Sequence, residues 1–187
     1  LFRQMLVRQK HGFQVRRGEK NRAMEKSSVK TAISQIGRHM VNECNKQIEK
    51  VERRIKDIID GDEELKRTYE LITTIPGIGT QNAVCLLTFT NNFTRFGYNA
   101  RKIACYYGIA PFGRDSGTSV HSDPHVHYMA NRMLKSMLTQ AALASIRCCA
   151  PIAHYYHRLI AIKKKKQVAL NNVKNKLIHI ITAMVKN

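Results

Sequence analysis

The residues best equipped for chemistry lie between Ala110 and Arg132, in the run APFGRDSGTSVHSDPHVHYMANR. Ser116 stands between Asp115 and Gly117, with Arg114 two positions earlier. This places a hydroxyl on a turn with little bulk beside it and a guanidinium close by, an arrangement suited to attack on a phosphodiester. Such an attack needs cations on the phosphoryl oxygens as charge redistributes, and Arg114, Arg132 and Lys135 are the available clamps. A serine before a glycine also serves well as an ordinary turn residue bonded to its own backbone, so spacing alone leaves both readings open. His121, Asp123, His125 and His127 form a second set. They have the donor types of a metal site, and His125, Val126 and His127 also match the histidine triplet of nucleases that use a tyrosine nucleophile. That triplet requires a sheet strand, which a helical chain with Pro124 beside it is not expected to supply. Histidines lying against phosphate, or simply solvated, are the remaining reading. No G-x-x-x-x-G-K-[ST] loop is present.

Helices must position these groups. Between Phe112 and Val126 there is no periodicity, and the segment reads as a long loop of the kind that carries function. No segment reads as a strand. Upstream, Val29, Ile33, Ile36, Met40, Cys44, Ile48, Val51, Ile55 and Ile58 recur in steps of three and four. They predict a coiled-coil-like helix about 45 Å long, with a stutter where three steps of four follow one another. So narrow a stripe needs a partner helix, and a second copy of the chain is the expected one. Before it, a basic segment with Arg16, Arg17 and Arg22 reads as a helix broken at Gly12 or Gly18. After it, LITTIPGIGTQNAVCLLTFT predicts two helices joined at Gly77 and Gly79. This is a helix-hairpin-helix pattern whose glycines let backbone N–H groups meet a phosphate, with close helix packing as the alternative. Further helices are expected at 99–107, 128–148, 151–163 and 168–186. Arg95, Arg101, Lys102 and the run Lys163, Lys164, Lys165 and Lys166 add cationic contacts. The fold class is therefore mostly α, a long coiled-coil helix followed by a compact helical domain, with divisions at 1–28, 29–70 and 71–187.

Charge points to the partner. The 187 residues carry 32 Lys+Arg against 13 Asp+Glu, a formal net charge of +19. Beyond Glu70 there are fifteen Lys/Arg and two acids, Asp115 and Asp123. A surface so one-sided fits a nucleic-acid backbone better than solubility alone. No run of about 18 apolar residues is present and no secretory leader is recognisable, so the protein is expected to be cytoplasmic, with no membrane partner. Five scattered cysteines without a C-x-x-C pair read as reduced thiols. The first residue is Leu1 rather than Met, so the sequence is expected to be a fragment.

Taken together, LVRQKHGFQVRRGEKNR, the long helix, YELITTIPGIG, FTRF, RKIACYYGIAPFGRDSG and LKSMLTQAALA resemble the C-terminal half of insertion-sequence transposases of the IS-one-ten type. The resemblance covers nearly the whole chain. It implies a serine that bonds covalently to DNA, which by position is Ser116. It also implies DNA as substrate, a structured bridge RNA as guide, subunits paired through the coiled coil, and a prokaryotic, nucleoid-associated location. In such transposases a divalent metal such as Mg belongs to an N-terminal acidic domain, so no cofactor is expected in this chain. The chain departs from the pattern after Gly117, where relatives have basic residues and glycines and this sequence has TSVHSDPHVHYMAN.

Overall fold

A computed structural model describes residues 1–23, 28–110, 112–116, 120–125 and 131–187, with the backbone alone for 17, 19–23, 28, 112–116 and 120–125. The chain divides into two compact units, Leu1–Asp62 and Glu63–Asn187. The second unit thus begins eight residues before the boundary expected at Leu71, because the helix over 63–73 packs against the helices C-terminal to it.

In the first unit, α1 (Phe2–Ala23) runs without interruption through Gly12 and Gly18, so the expected break does not occur. Neither glycine meets anything within 4 Å of where a Cβ would stand, and propensity costs of about 1 kcal/mol each are offset by packing against the second helix. That helix, α2 (Ser28–Asp60), carries the predicted stripe. The Arg3 Nε donates to Glu52 Oε1 at 2.6 Å, which fixes the two helices as an antiparallel hairpin. The seam therefore has a partner within its own chain. Leu6 of α1 and Val41, Cys44, Ile48 and Ile59 of α2 are buried. Val29, Ile36, Met40 and Ile58 stay exposed, since one helix covers only part of the stripe.

The second unit is a helical cluster formed by α3 (Glu63–Thr73), α4 (Thr80–Thr90), α5 (Ala100–Tyr106), α6 (Arg132–Cys148), α7 (Ala150–Ala161) and α8 (Lys166–Lys186). Glu63 and Glu64 open α3, where carboxylates complement the helix dipole. Asn99 and Asn131 cap α5 and α6, each side chain accepting from two backbone N–H groups of the first turn. Pro151 opens α7, where no hydrogen bond is lost. Ile72, Leu86, Phe93, Ile103, Leu134, Leu138, Leu177 and Ile181 form a fully buried core drawn from every helix but α7. Ile152 of α7 closes its edge.

One expectation is overturned. The segment read as a loop contains two strands, β1 (Phe112–Ser116) and β2 (Val120–His125), paired antiparallel. Ser116 faces Val120, Asp115 faces His121 and Arg114 faces Ser122. The register then slips between Phe112 and Arg114, and Pro124, which has no N–H to give, falls at that irregularity. The strands escaped detection because their residues are polar on both faces and lack the alternation that marks a half-buried strand. His125 does therefore stand on a strand, while Val126 and His127, like Pro111 and Gly117, lie outside the described residues.

Candidate nucleic-acid interface

The hairpin leaves the helical cluster after Ala110 and returns to it at Asn131, whose N–H reaches the Tyr106 carbonyl at 3.4 Å. Ser116 is the last paired residue before the hairpin tip. Both roots of the hairpin adjoin a cleft of about 810 Å³ between α5, α6 and α8, lined by Ala110 on one side and Arg132 on the other. Arg101, Arg132 and Lys135 all line this cleft, so three of the expected cations converge. No acid lines it. Lys102 is exposed one residue along α5, and Lys163 to Lys166 form the exposed turn that leads into Gln167 and Val168 at the cleft's α8 end. Lys163 adopts φ +60°, which turns the chain sharply out of α7.

Other expected contacts lie elsewhere or have another job. Arg95 is exposed on the short turn Thr94–Phe96, its guanidinium 5.5 Å from the Phe96 ring centre and 5.2 Å from that of Tyr106. The rings hold a planar cation in place while leaving it open to solvent. Arg16 is exposed on α1 in the other unit, and the side chains of Arg17, Arg22 and Arg114 lie outside the described residues.

The two glycines of IPGIG separate. Gly77 has φ +92°, and a Cβ there would stand 2.3 Å from Ser145 Oγ and 2.5 Å from Ser145 N. Ser145, fully buried, donates to the Pro76 carbonyl at 2.7 Å and lies 2.9 Å from that of Ala141. Gly77 therefore serves the close approach of the α3–α4 turn to α6, the packing alternative of the sequence reading. Gly79 is different: nothing lies within 4 Å of its Cβ position, and it precedes α4 with no side-chain cap on the helix.

Sequence reasoning passed over the α8 wall of the cleft. Gln167, Asn171, Asn175 and His179 recur every four residues along one face, with Asn172 and Lys174 beside them. A four-residue polar repeat on a helix without acids was the available signal. Asn171 Nδ2 donates to the Ile109 carbonyl at 2.6 Å and ties α8 to the end of α5. Lys174 is only 5% exposed, and its Nζ lies 3.4 Å from Thr139 Oγ1, whose own proton goes to the Lys135 carbonyl at 2.7 Å. Burial, and then the neighbouring Lys135 cation, hold the Lys174 amine below the ordinary lysine value. Among the described residues no group of three His, Cys, Asp or Glu could hold a metal, and no helix is long and apolar enough to cross a membrane.

Comparison with known proteins identifies the second unit. Residues 69–158 match the transposase IS116/IS110/IS902 family. The chain is 32% identical over 117 residues to the insertion element IS110 uncharacterized 43.6 kDa protein of Streptomyces coelicolor, covering 63% of this chain and 28% of that protein. It is 26% identical over 140 residues to the pilin gene-inverting proteins of Moraxella bovis and Moraxella lacunata, covering 74% of this chain and 43% of each. The chain thus spans less than half the length of these relatives. Over residues 69–158, from the end of α3 through the hairpin to α7, the chain is similar to transposases of the IS116/IS110/IS902 family.

Proposed function

We propose that the second unit is the DNA-binding and strand-cleaving domain of a transposase or recombinase, with Ser116 as the nucleophile. The observation that carries this reading is the place of Ser116 within the family match, at the end of a strand whose hairpin is rooted at a cationic cleft. The Ser116 Oγ attacks the scissile phosphorus, its proton passes to a base, and the bond to the departing sugar oxygen breaks as that oxygen takes up a proton. A protein–phosphate diester results, which conserves bond energy for rejoining to a new end. Cations beside the hairpin, Arg114 on β1 and Arg132 and Lys135 at the cleft, stabilise the charge on the phosphoryl oxygens. Arg101, Lys102, Arg95 and Lys163 to Lys166 grip nucleic-acid backbone, DNA and a structured guide RNA both offering it. Gly79, open at the uncapped start of α4, leaves room for a further phosphate to approach that helix end. In the first unit, Arg16, Arg17 and Arg22 hold nucleic-acid backbone as well, and the uncovered Val29, Ile36, Met40 and Ile58 pair one copy of the chain with another. No step is assigned to a metal, because no described residues fit one; in the full reaction Mg would belong to an acidic domain joined to this chain.

The test is a protein–DNA adduct that survives denaturing electrophoresis, formed on nicked element-end DNA by the chain joined to such a domain. Ser116→Ala should abolish it. An adduct that persists in Ser116→Ala overturns the nucleophile. The absence of any adduct, with DNA binding intact, favours a non-catalytic DNA-binding and dimerising role. That second reading is supported by the described lining of the cleft, in which no carboxylate stands to accept a proton. Under either reading duplex affinity should fall on the order of 10³-fold between about 50 and 200 mM salt if about six phosphates are neutralised.

A further inference from the structure

Lys174 poses an energetic problem. A buried cation costs stability unless an anion or several hydrogen bonds compensate it, and among the described residues this one has a single long contact to a hydroxyl. Its neighbours in the cleft, Lys135, Arg132, Arg101 and His179, are bases, and nothing acidic faces it from α5, α6 or α8. Such an uncompensated group at the wall of a cleft is the arrangement of a site completed by a ligand.

The rest of the lining says what the ligand is. Ile109, Val168 and Leu170 offer an apolar surface. Asn172 and Asn175 offer amides that find no hydrogen-bond partner among the described residues. Cations, amides and an apolar wall match a phosphate, a base edge and a base face. The volume of about 810 Å³ is in the range of small-molecule sites, about 300 to 1,000 Å³. A duplex presents its phosphates on a convex backbone with bases stacked inside, so it cannot bring both to a recessed lysine. A single strand, whose bases can be splayed out, can.

We infer that the cleft between α5, α6 and α8 takes one unpaired nucleotide of a single-stranded segment, its phosphate on Lys174 and Lys135 and its base edge on Asn172 and Asn175, a use that rests on the nucleic-acid reading of the chain. Lys174, Asn172 and Asn175 have no part in the cleavage step, so substitutions there test binding apart from cleavage. An exchange that opens duplex ends exposes such nucleotides, and holding one would keep an opened strand from re-pairing.

The full chain is titrated with fluorescein-labelled 12-mers by anisotropy: single-stranded DNA, RNA of the same sequence, and the DNA duplex. The single strand should bind more tightly than the duplex, and the preference between DNA and RNA identifies which strand supplies the nucleotide. Lys174→Met should weaken single-strand binding by about tenfold or more, as expected for loss of a charged hydrogen bond, while changing duplex binding less than about twofold. Should that variant misfold, Asn175→Asp, which puts a carboxylate on a partly exposed position, should weaken the same binding by a similar factor. Single-strand affinity unaffected by both substitutions, tighter binding of the duplex, or displacement of the oligonucleotide by equimolar inorganic phosphate would each overturn the inference. Cys148→Ser, at an exposed position at the opposite end of α6 from Arg132, serves as the control and should bind the single strand as the unaltered chain does. No adduct from the unaltered chain, with single-strand binding that depends on Lys174, counts against the cleavage reading alone; an adduct abolished by Ser116→Ala, with single-strand binding indifferent to Lys174 and Asn175, counts against this inference alone.

Discussion

The two units are both basic and both helical, yet they use their residues in opposite ways. Leu1–Asp62 holds fifteen Lys/Arg and eight acids, and Glu63–Asn187 holds seventeen and five. The first unit spreads its charge along two helices, pairs Arg3 with Glu52, and buries a short row of side chains in one seam. The second closes a core around Leu86, Ile103, Leu138 and Leu177 and gathers Arg101, Arg132, Lys135 and Lys174 at a cleft with no acid among its described lining residues. The difference shows that net charge alone does not make a binding site. A cation becomes specific where a core holds it at a fixed place in low-dielectric surroundings, as with Lys174, and remains a general attraction where it lies on a solvated helix.

The largest expected effect that sharpens this contrast comes from Gly77. Gly77→Ala forces a Cβ onto Ser145 at a φ of +92°, and should destabilise the second unit by about 3 kcal/mol or more while leaving the first unit's helices intact. Urea unfolding followed by separate fluorescent labels on the two units measures it. Equal losses in both labels would mean that the units unfold as one.

Core truncation should rank the units next. Leu138→Ala, in a fully buried site, should cost about 3 to 4 kcal/mol, and Ile48→Ala, at a seam bordered by solvent, about 2 kcal/mol. Chemical denaturation of each variant gives the order, and a reversal would place the main stabilising contacts in the helical hairpin.

Lys174 tests the cost of the cleft. Its amine is held below the ordinary value, so between the folded and unfolded pKa values the unfolded chain binds the extra proton. The penalty is fully present at lower pH and is relieved as pH rises through that window below the ordinary lysine value. Lys174→Met should therefore raise stability by about 1 kcal/mol or more at neutral pH, with the gain over the unaltered chain shrinking toward about pH 10. Thermal melts across that range check the sign. A gain that grows with pH would contradict it.

The smallest effect on folding should come from the uncovered stripe. Ile36 is 64% exposed and Ile58 54%, so Ile36→Asp with Ile58→Asp should change hairpin stability by no more than about 0.5 kcal/mol per site. If the stripe pairs two copies, sedimentation of the double variant should give half the mass of the unaltered chain. Ile48→Asp would be a poor probe of the same question, because Ile48 is buried within its own hairpin.

Much of this molecule was legible before its structure. The stripe from Val29 to Ile58 announced a long helix because its period follows from helix geometry, and helices expected at 99–107, 151–163 and 168–186 lie close to α5, α7 and α8, whereas α6 starts at Arg132 rather than at 128, capped by Asn131. The motif residues around Ser116 pointed to the family that the match over 69–158 bears out. Other features depended on partners distant in sequence. Periodicity could say that the stripe needs covering, but only the meeting of Arg3 with Glu52 shows α1 doing part of it. The glycines of IPGIG looked alike, and the neighbour Ser145, 68 positions beyond Gly77, separates their roles. The strands of the Ser116 hairpin have no apolar face to signal them, because their pairing is carried by backbone hydrogen bonds that any residue type can make.

The sequence by itself determined the helical class, the excess of cations and the resemblance to the transposase family, since each is a property of local spacing, composition or motif. Only the tertiary structure decided which cations act together. Arg101, Arg132, Lys135 and Lys174 are spread over more than seventy residues, and the burial that brings them to one cleft is also what makes Lys174 costly without an anion.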